Sequence, residues 1–559
     1  MAERIVVVTI SYLDPATSTT GTLGFTTAAT GYRSHPADTP ADLECIPGLS
    51  ACTFRFDATG ADPKSLGAGT ITVDDADGSL DDLLNYVYDG KDAIVYIGDP
   101  DDALSDFDEL VRWVVEQPET SGNTISFRTR TQTYHLDVAI QTDIYGGTGG
   151  VDGGSDLTGK PKPLAWGTVV NAPATLVDSV RLIYQLSSAH SLDLNSGKDA
   201  IGITVYDEGV AISPSTPYTD LASMLGGAPG AGQFQALNAV ASGAGNHYGV
   251  YVRLGSPPAG QITFDGTFYP SGLASDTATF LSSIVRAGTD DDADIYSADK
   301  TAVAAAFPFN VELFTATDSA DSPTYLDALM AVVGGFRGWV VPYQAAPTQS
   351  PADDMMPPFA VRWLDDPATA ASSPYVNTLI TGTPALTIRG DTIKAGNFMR
   401  VAKYDFAWPE WRVSLQTDRT VTIQTTGLGG SVSLDRRLRL ALPYLTTSSE
   451  DATLKDTFPT AVDRQITTAW STDTGTMQDE ADRQLAVFGE ARGLYTLSAA
   501  ADLAQVVLAV PGDPVTVTNY PRYGCDTSRT FLLLALQVNY LDRRAGSPEL
   551  LGFNATVWG

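Results

Sequence analysis

Alternation of apolar and polar residues is the dominant pattern at both ends of the chain. In the N-terminal part it recurs in short runs separated by turn residues, at residues 5–12, 21–27, 52–56, 69–73, 93–97, 110–116 and 124–129. A period of two predicts strands with one buried face. In the last run it puts Arg128 and Arg130 on one side and Phe127 and Thr129 on the other. We therefore predict a β-rich region over residues 1–140.

The middle of the chain changes to a helical period. Apolar residues form one stripe along residues 277–287, and a second stripe follows Ser322-Pro323, where proline suits the first helical position. Shorter helices are predicted at residues 218–225 and 233–240. One more is predicted in the N-terminal part, at residues 80–86, where Ser79 is the expected N-cap. Strands are predicted between these helices at residues 164–170, 201–206, 248–254 and 261–265. The sequence thus indicates an α+β region over residues 141–343.

A segment rich in proline, alanine and aspartate ends this middle region. It covers residues 344–375 and contains one short predicted strand, residues 359–363, so we expect a linker here. Alternation returns in residues 376–559, with predicted strands at 411–416, 494–499, 505–510 and 530–539 and a helix at 476–493. The predicted fold class is mainly β with an α+β insert, in several domains.

Composition narrows the classes of function. The chain of 559 residues has a formal net charge of -32, which repels the phosphates of DNA and an anionic membrane surface. No apolar run is long enough to span a membrane. The three cysteines, Cys45, Cys52 and Cys525, do not form a zinc motif. A Cys45–Cys52 bridge is one interpretation, and buried free thiols are the one we favour.

A glycine-rich loop before Lys160 invites comparison with phosphate-binding loops. Such loops need the spacing GxxxxGK[ST], which lets backbone N–H groups hold phosphate where a helix begins. Here Pro161 and Pro163 flank Lys162 and prevent that helix start. We interpret residues 160–163 as an extended crossing into the strand at Leu164.

Two acidic runs suggest calcium loops but fail the spacing test. An EF-hand needs Gly at its sixth position and Glu at its twelfth. Counted from Asp75, those positions hold Leu80 and Tyr86, and the run at residues 290–294 fails in the same way. No nucleophile elbow GxSxG occurs either. We therefore nominate no catalytic, cofactor-binding or metal-binding residue, and we expect neither a cofactor nor an enzymatic activity.

Several motifs carry a resemblance to a known family. The motifs ADTPA and DADGSLD come first in the chain. The run GSDLTGKPKPLAWG follows them and leads to RLIYQ and then to VYDEGV. GDPVTVT, PRYG and a terminal WG close the chain. Together they resemble baseplate or tail-hub proteins of long-tailed phages and prophages, in order along nearly the whole chain. The polar insertion at residues 344–373 and the segment AWPEW depart from the family pattern.

The resemblance implies a structural role at the tip of a phage tail. Hubs of this kind form a homotrimeric ring in which each subunit carries two tail-tube-like β-barrels flanking a mixed α/β middle region. Three chains then present six barrels to a six-fold tube and help to form the DNA exit channel. The implied partners are the distal tail protein, the tape-measure protein and tail-tip fibre or spike proteins. The implied location is the virion tail tip, after assembly in the host cytoplasm.

Two other classes of function stay open. A receptor-binding or carbohydrate-binding protein would present exposed aromatic platforms, for which Trp339, Trp408 and Trp411 are candidates. Trp408 and Trp411 could instead anchor a strand or a subunit contact, and we favour that interpretation for these two residues. A cell-wall hydrolase would need a cleft with paired carboxylates. With 66 acidic residues in the chain, such pairs arise by chance.

Overall fold

The structure is a computed structural model. It describes residues 4–59, 67–188, 198–237, 249–270, 276–289, 293–316, 323–343, 358–368, 386–401, 409–471, 474–544 and 547–559. Residues 290–292 of the second acidic run, Trp408 and most of the predicted linker lie outside the described residues. Strands dominate, as the alternating pattern predicts, so the expected mainly β fold with an α+β middle is confirmed.

The N-terminal region is built from ten strands. They are Ile5–Asp14 (β1), Thr19–Thr26 (β2), Tyr32–Arg33 (β3), Glu44–Pro47 (β4), Leu49–Asp57 (β5), Gly67–Asp74 (β6), Lys91–Gly98 (β7), Asp108–Val115 (β8), Glu119–Ser121 (β9) and Thr124–Arg130 (β10). In β10 the predicted faces are confirmed, because Phe127 and Thr129 are buried while Arg128 is exposed.

The short helix in this region has a different cap from the predicted one. A 3-10 helix covers Asp81–Asn85, and Ser79 does not act as its N-cap. The side chain of Asp77 instead accepts a hydrogen bond from the Ser79 backbone N–H at 3.1 Å, and that of Asp75 accepts one from the Leu80 N–H at 3.1 Å. These contacts of carboxylates with their own turn stabilise the turn that the sequence predicts at Asp77-Gly78.

The middle region contains twelve strands and four helices. The strands are Leu164–Pro173 (β11), Thr175–Asp178 (β12), Ile183–Ser187 (β13), Lys198–Asp207 (β14), Val210–Ala211 (β15), Ser213–Pro214 (β16), Gln233–Leu237 (β17), Val250–Leu254 (β18), Ile262–Pro270 (β19), Asn310–Thr315 (β20), Gly338–Pro342 (β21) and Phe359–Trp363 (β22). The helices are Leu221–Gly226 (α1), Thr277–Gly288 (α2), Ser297–Ala306 (α3) and Tyr325–Val333 (α4).

Two predictions for the middle region are wrong in detail. Residues 233–237 of the helix expected at 233–240 form strand β17, because Phe234 and Ala236 point into a core and the strand pairs with β18. Residues 238–240 lie outside the described residues. The helix expected to start at Ser322-Pro323, with proline at its first position, begins two residues later, at Tyr325. Thr324 is its N-cap, and the Thr324 hydroxyl accepts from the Asp327 backbone N–H at 3.1 Å.

The described residues of the C-terminal region form ten strands and four helices. The strands are Leu386–Arg389 (β23), Met399–Val401 (β24), Glu410–Thr417 (β25), Leu445–Glu450 (β26), Val462–Thr467 (β27), Trp470–Ser471 (β28), Leu494–Asp502 (β29), Pro514–Thr518 (β30), Ser528–Arg544 (β31) and Ser547–Trp558 (β32). The helices are Leu434–Ala441 (α5), Ala452–Thr457 (α6), Thr474–Phe488 (α7) and Leu503–Leu508 (α8). The strand expected at residues 505–510 is wrong. Helix α8 forms there because the Asp502 side chain caps it by accepting from the Ala504 N–H at 3.0 Å.

The two β regions at the ends of the chain form one continuous sheet. Its main strand order is β24-β29-β32-β31-β5-β6-β10-β8-β7-β1-β2-β4-β3. The connection is the antiparallel pairing of β31 with β5, in which Leu536 lies opposite Phe56 and Val538 opposite Phe54. These four side chains share one hydrophobic core with residues from both ends of the chain. The N-terminal and C-terminal strands are therefore held together by ladder hydrogen bonds and a common core.

The middle region packs around separate cores. Strands β15, β14, β19, β11, β20 and β28 form a second sheet, and β12, β13, β18, β17 and β16 form a third. Trp470, from the C-terminal region, lies opposite Val311 in the second sheet, and α7 contributes Met477 and Ala481 to the core beside it. Residues 409–488 thus pack largely against the middle region.

Candidate functional surface on the continuous sheet

One face of the continuous sheet is polar and open across seven strands, from β24 to β10. Registered pairs follow one another across it, so their side chains lie on the same side of the sheet. We call this surface the open face and define it by Thr53, Arg55, Thr70, Thr72, Ser126, Arg128, Met399, Thr496, Ser498, Gln537, Asn539, Asn554 and Thr556. The opposite face of the same strands supplies the shared core.

The pairing at the centre of the open face joins the two halves of the sheet. Gln537 lies opposite Arg55 on β5 and opposite Asn554 on β32. Asn554 in turn lies opposite Ser498 on β29. A shallow depression of about 330 Å³ on this face has Arg55, Gln537 and Asn554 among its lining residues. The centre of the surface is therefore built from amide and hydroxyl groups of both ends of the chain.

The cations of the open face are neutralised by neighbouring carboxylates. Arg55 forms an ion pair with Asp57. The Arg128 guanidinium lies 2.9 Å from a Glu119 carboxylate oxygen, with both side chains exposed. Arg130, on the same side of β10 as Arg128, lies 3.8 Å from a Glu116 carboxylate oxygen. Lys394 and Asp542 line a second depression together with Gln537 and Asn554, so charges of both signs lie beside the uncharged members of the face. This surface is therefore close to neutral although the whole chain carries a formal net charge of -32.

The two candidate platform tryptophans that the structure describes, Trp339 and Trp411, differ in exposure. Trp339 is buried, and its Nε1 donates to the Pro511 carbonyl oxygen at 2.9 Å, so it is not an exposed platform. Trp411 is half-buried, and Lys455 Nζ lies 4.1 Å from the centre of its ring. Trp339 therefore does not supply the exposed platform that the carbohydrate-binding alternative requires.

The glycine-rich loop before Lys160 binds one of its own carboxylates. Asp152 accepts from the Gly146 backbone N–H at 3.0 Å and from the Thr148 hydroxyl at 2.8 Å, and these contacts hold its pKa below the usual value even though desolvation opposes them. Lys162 Nζ lies 4.0 Å from the same carboxylate. The Asp152 carboxylate therefore already binds these donor groups of the loop.

The cysteines are free thiols. All three are buried, and burial raises the pKa of Cys45 to about 12. A thiol with so high a pKa is a poor nucleophile at neutral pH. In the described part of the chain, no group of three or more His, Cys, Asp or Glu residues is placed to hold a metal ion. None of the described helices is both long enough and apolar enough to cross a membrane.

Sequence reasoning missed the connection between the two halves of the open face. The alternation in residues 530–539 predicts a strand, but nothing in it specifies β5 as the partner of β31. A partner across almost the whole chain is chosen by the match of two apolar faces and by the turns that hold the strands in register. A single sequence carries no local signal for that choice.

Comparisons with known proteins give matches among solved structures. No family model matches the chain, and no curated protein matches it. A 43 kDa tail protein of prophage MuSo2 from Shewanella oneidensis is 9% identical, with a TM-score of 0.34, and the match covers 99% of this chain and 97% of that one. A chain in the virion of a native gene transfer agent is 13% identical, with a TM-score of 0.35, covering 71% and 84%. A chain of a Francisella PdpA–VgrG complex is 7% identical, with a TM-score of 0.34, covering 99% and 52%. The chain is similar to phage tail and baseplate proteins in these comparisons, as its sequence motifs indicate.

Proposed function

We propose that this protein is a structural hub of a phage tail tip, with the open face turned toward the DNA channel. The observation that carries the proposal is the β5–β31 pairing, which sets two β regions side by side in one sheet. Three copies of such a chain supply six β regions, the number that a six-fold tube requires. The proposed assembly is therefore a homotrimer that adapts the tube to the tip.

The chemistry of the open face suits a channel wall. DNA carries about one negative charge per 1.7 Å of its axis, so unpaired lysines and arginines would hold it and a strongly acidic wall would repel it. Arg55 and Arg128 are each paired with a carboxylate, and the charged residues nearest to the centre of the face, Lys394 and Asp542, are of opposite sign. Such a wall lets DNA pass with little attraction or repulsion.

The rest of the molecule is available for contacts within the tail tip. We propose that the distal tail protein and the tape-measure protein contact the β regions. The middle region, with its two further sheets, lies on the outside of the ring in this arrangement and faces fibre or spike proteins. Assembly takes place in the host cytoplasm, and the finished protein resides in the virion.

Labelling of intact particles tests the proposed location. We expect gold-conjugated antibodies against this chain to mark the end of the tail on its axis in electron micrographs. Light scattering of the purified protein should give three times the mass of the 59.1 kDa chain. Label along side fibres, or an absence of label on particles, would contradict the hub assignment.

Added positive charge on the open face should slow DNA release. The paired substitutions Gln537→Lys and Asn554→Lys change exposed side chains, so we expect stability within about 0.5 kcal/mol of wild type. Two unpaired ammonium groups in the channel would bind passing phosphates, and the delay should shrink as salt is raised. The measurement is the rate of DNA release from particles at low and high ionic strength.

A matched variant separates this effect from added charge in general. Leu176→Lys with Val180→Lys adds the same charge on exposed positions of the middle region, where Val180 is 89% exposed. We expect these particles to release DNA at the wild-type rate. Equal slowing in both variants would show that the open face does not line the channel.

A further inference from the structure

A cavity in the middle region contains a buried acid with one unpartnered oxygen. The cavity has a volume of about 190 Å³ and lies beside strand β20. Its walls are largely apolar, from Val169, Leu313, Phe314 and Val421, and exposed Ala331 on α4 lies at its mouth. The cavity is thus a narrow apolar space that opens to solvent.

Glu312 supplies the acid. It is 8% exposed, in the middle of β20, with its backbone fixed between β11 and the Ala469 carbonyl. Its Oε1 accepts from the Arg419 backbone N–H at 2.7 Å. Its Oε2 is buried, and no hydrogen-bond partner for it is found in the part of the chain that the structure describes. A buried oxygen without a partner is costly, so a ligand that supplied one would gain that energy.

Burial also changes the protonation of this acid. Desolvation raises the pKa of Glu312 to about 8, and the charge of Asp418 adds to the increase. Arg419 and Arg439 oppose it. The Arg439 guanidinium already donates to the Asp418 carbonyl oxygen, and the Arg419 side chain is exposed. Neither guanidinium forms an ion pair with Glu312 in the described structure.

We propose that this cavity binds an aliphatic chain that ends in a primary ammonium group, of the kind that a lysine side chain of a neighbouring protein presents. The apolar walls suit the methylene chain. The ammonium has three donors, and the lining residues Glu312, Thr467, Thr468 and Tyr444 carry the carboxylate and hydroxyl oxygens that can accept from it once the buried Glu312 carboxyl turns toward the cavity. The net charge of -32 favours the approach of a cationic partner. This site does not depend on the hub function proposed above.

Binding of a cation to this cavity should release a proton from Glu312, whereas binding of an uncharged apolar ligand should not. At pH 7 the folded protein holds Glu312 mainly in its protonated form, because its pKa is about 8. An ammonium group that pairs with the carboxylate displaces this proton. Binding should therefore release close to one proton at pH 7 and nearly none at pH 9, where an alkylammonium is still charged.

Calorimetry on the full chain tests the proposal with three probes of equal length. We expect n-pentylammonium to bind about tenfold or more tightly than 1-pentanol, because it adds a charge-assisted hydrogen bond, and pentanoate to bind more weakly still. Titration in buffers of different ionisation enthalpy measures the released proton. Wild-type binding in which 1-pentanol or pentanoate equals the amine, binding of no probe, or a lack of proton release at pH 7 would overturn the proposal.

Two variants assign the binding to this cavity. Glu312→Gln keeps the shape of the side chain and should abolish both the preference for the amine and the proton release. Ala331→Phe fills the mouth from an exposed helix position and should remove binding of all probes. Ala305→Phe, an exposed alanine on α3, is the matched control and should bind as wild type does. Retention of the amine preference in Glu312→Gln would overturn the assignment.

Discussion

Replacement of Arg362 by alanine is expected to lower the free energy of unfolding by about 3–5 kcal/mol, the cost of removing one partner from a buried ion pair. Arg362 lies on β22 and is 7% exposed. Its Nε donates to Asp513 Oδ1 at 2.9 Å, and its Nη1 lies 2.8 Å from Asp299 Oδ1. Its removal leaves two carboxylates in the core without their cation.

The Arg362 cluster connects parts of the chain that are distant in sequence. Asp299 comes from α3, and Asp513 precedes β30 of the continuous sheet. Tyr343 completes the cluster, because its hydroxyl accepts from Arg362 Nη2 at 2.7 Å and donates to Asp299 Oδ2 at 3.1 Å. The cluster therefore joins the middle region to the sheet that carries the open face.

The free energy of unfolding that is lost in Arg362→Ala should increase with pH. Burial raises the pKa of Asp299 and of Asp513, and the Arg362 charge opposes that shift in both. Without Arg362 both pKa values rise further, so at low pH the two acids become neutral and cost less to bury. The destabilisation by Arg362→Ala should therefore be larger at pH 8 than at pH 5, as measured by guanidinium unfolding followed by circular dichroism.

Two comparisons control this prediction. Arg128→Ala removes a solvent-exposed ion pair and should cost less than 1 kcal/mol. Arg362→Met combined with Asp299→Asn and Asp513→Asn removes all three charges together and should regain part of the stability, since no unpaired charge remains buried. A loss below 1 kcal/mol for Arg362→Ala itself would mean that water reaches the cluster.

Local patterns predicted the elements that depend on a single face. The helix at residues 277–287 is present as α2, because its apolar stripe is continuous and Asp276 caps it. Strand β10 has the expected faces because every second residue is apolar. In such segments the burial pattern and the intrinsic preference of the chain agree.

Segments of mixed preference were decided by their neighbours. Residues 233–237 have good helix formers, yet they form β17 because β18 offers ladder hydrogen bonds and a core for Phe234. Residues 503–508 have the β-favouring pair Val506 and Val507, yet they form α8 under the cap of Asp502. Propensity is overridden where a cap or a partner strand is present.

Buried polar groups were the least predictable part of the chain. Arg362 in FAVRW and Glu312 in NVELFT each stand alone in an apolar strand, which is the one signal the sequence offered. A lone charge in a strand can equally face solvent, and only the tertiary structure puts both of them inside. The burial of Arg362 and of Glu312 thus depends on contacts between segments that are distant in sequence.

Glu312→Gln is expected to stabilise the protein at alkaline pH while having little effect near pH 5. In the unfolded chain Glu312 loses its proton near pH 4.5, and in the folded protein it loses it at a pKa of about 8. Between those values the folded state binds more protons, so the wild-type free energy of unfolding falls as the pH rises. Glutamine does not titrate, and its carbonyl oxygen can still accept from the Arg419 N–H.

The size of the stability difference follows from the difference between the pKa of Glu312 in the folded and in the unfolded protein. One pKa unit corresponds to about 1.4 kcal/mol, so the variant should gain roughly 3 kcal/mol over wild type between pH 5.5 and pH 8.5. Other titrating groups, including Asp299 and Asp513, contribute equally to both proteins and cancel in the difference. Thermal and guanidinium unfolding at several pH values measures it. Parallel pH profiles would show that Glu312 is solvated in the folded state. A gap that widens with pH would establish it as a buried acid whose ionisation opposes folding, and which a cationic ligand could stabilise.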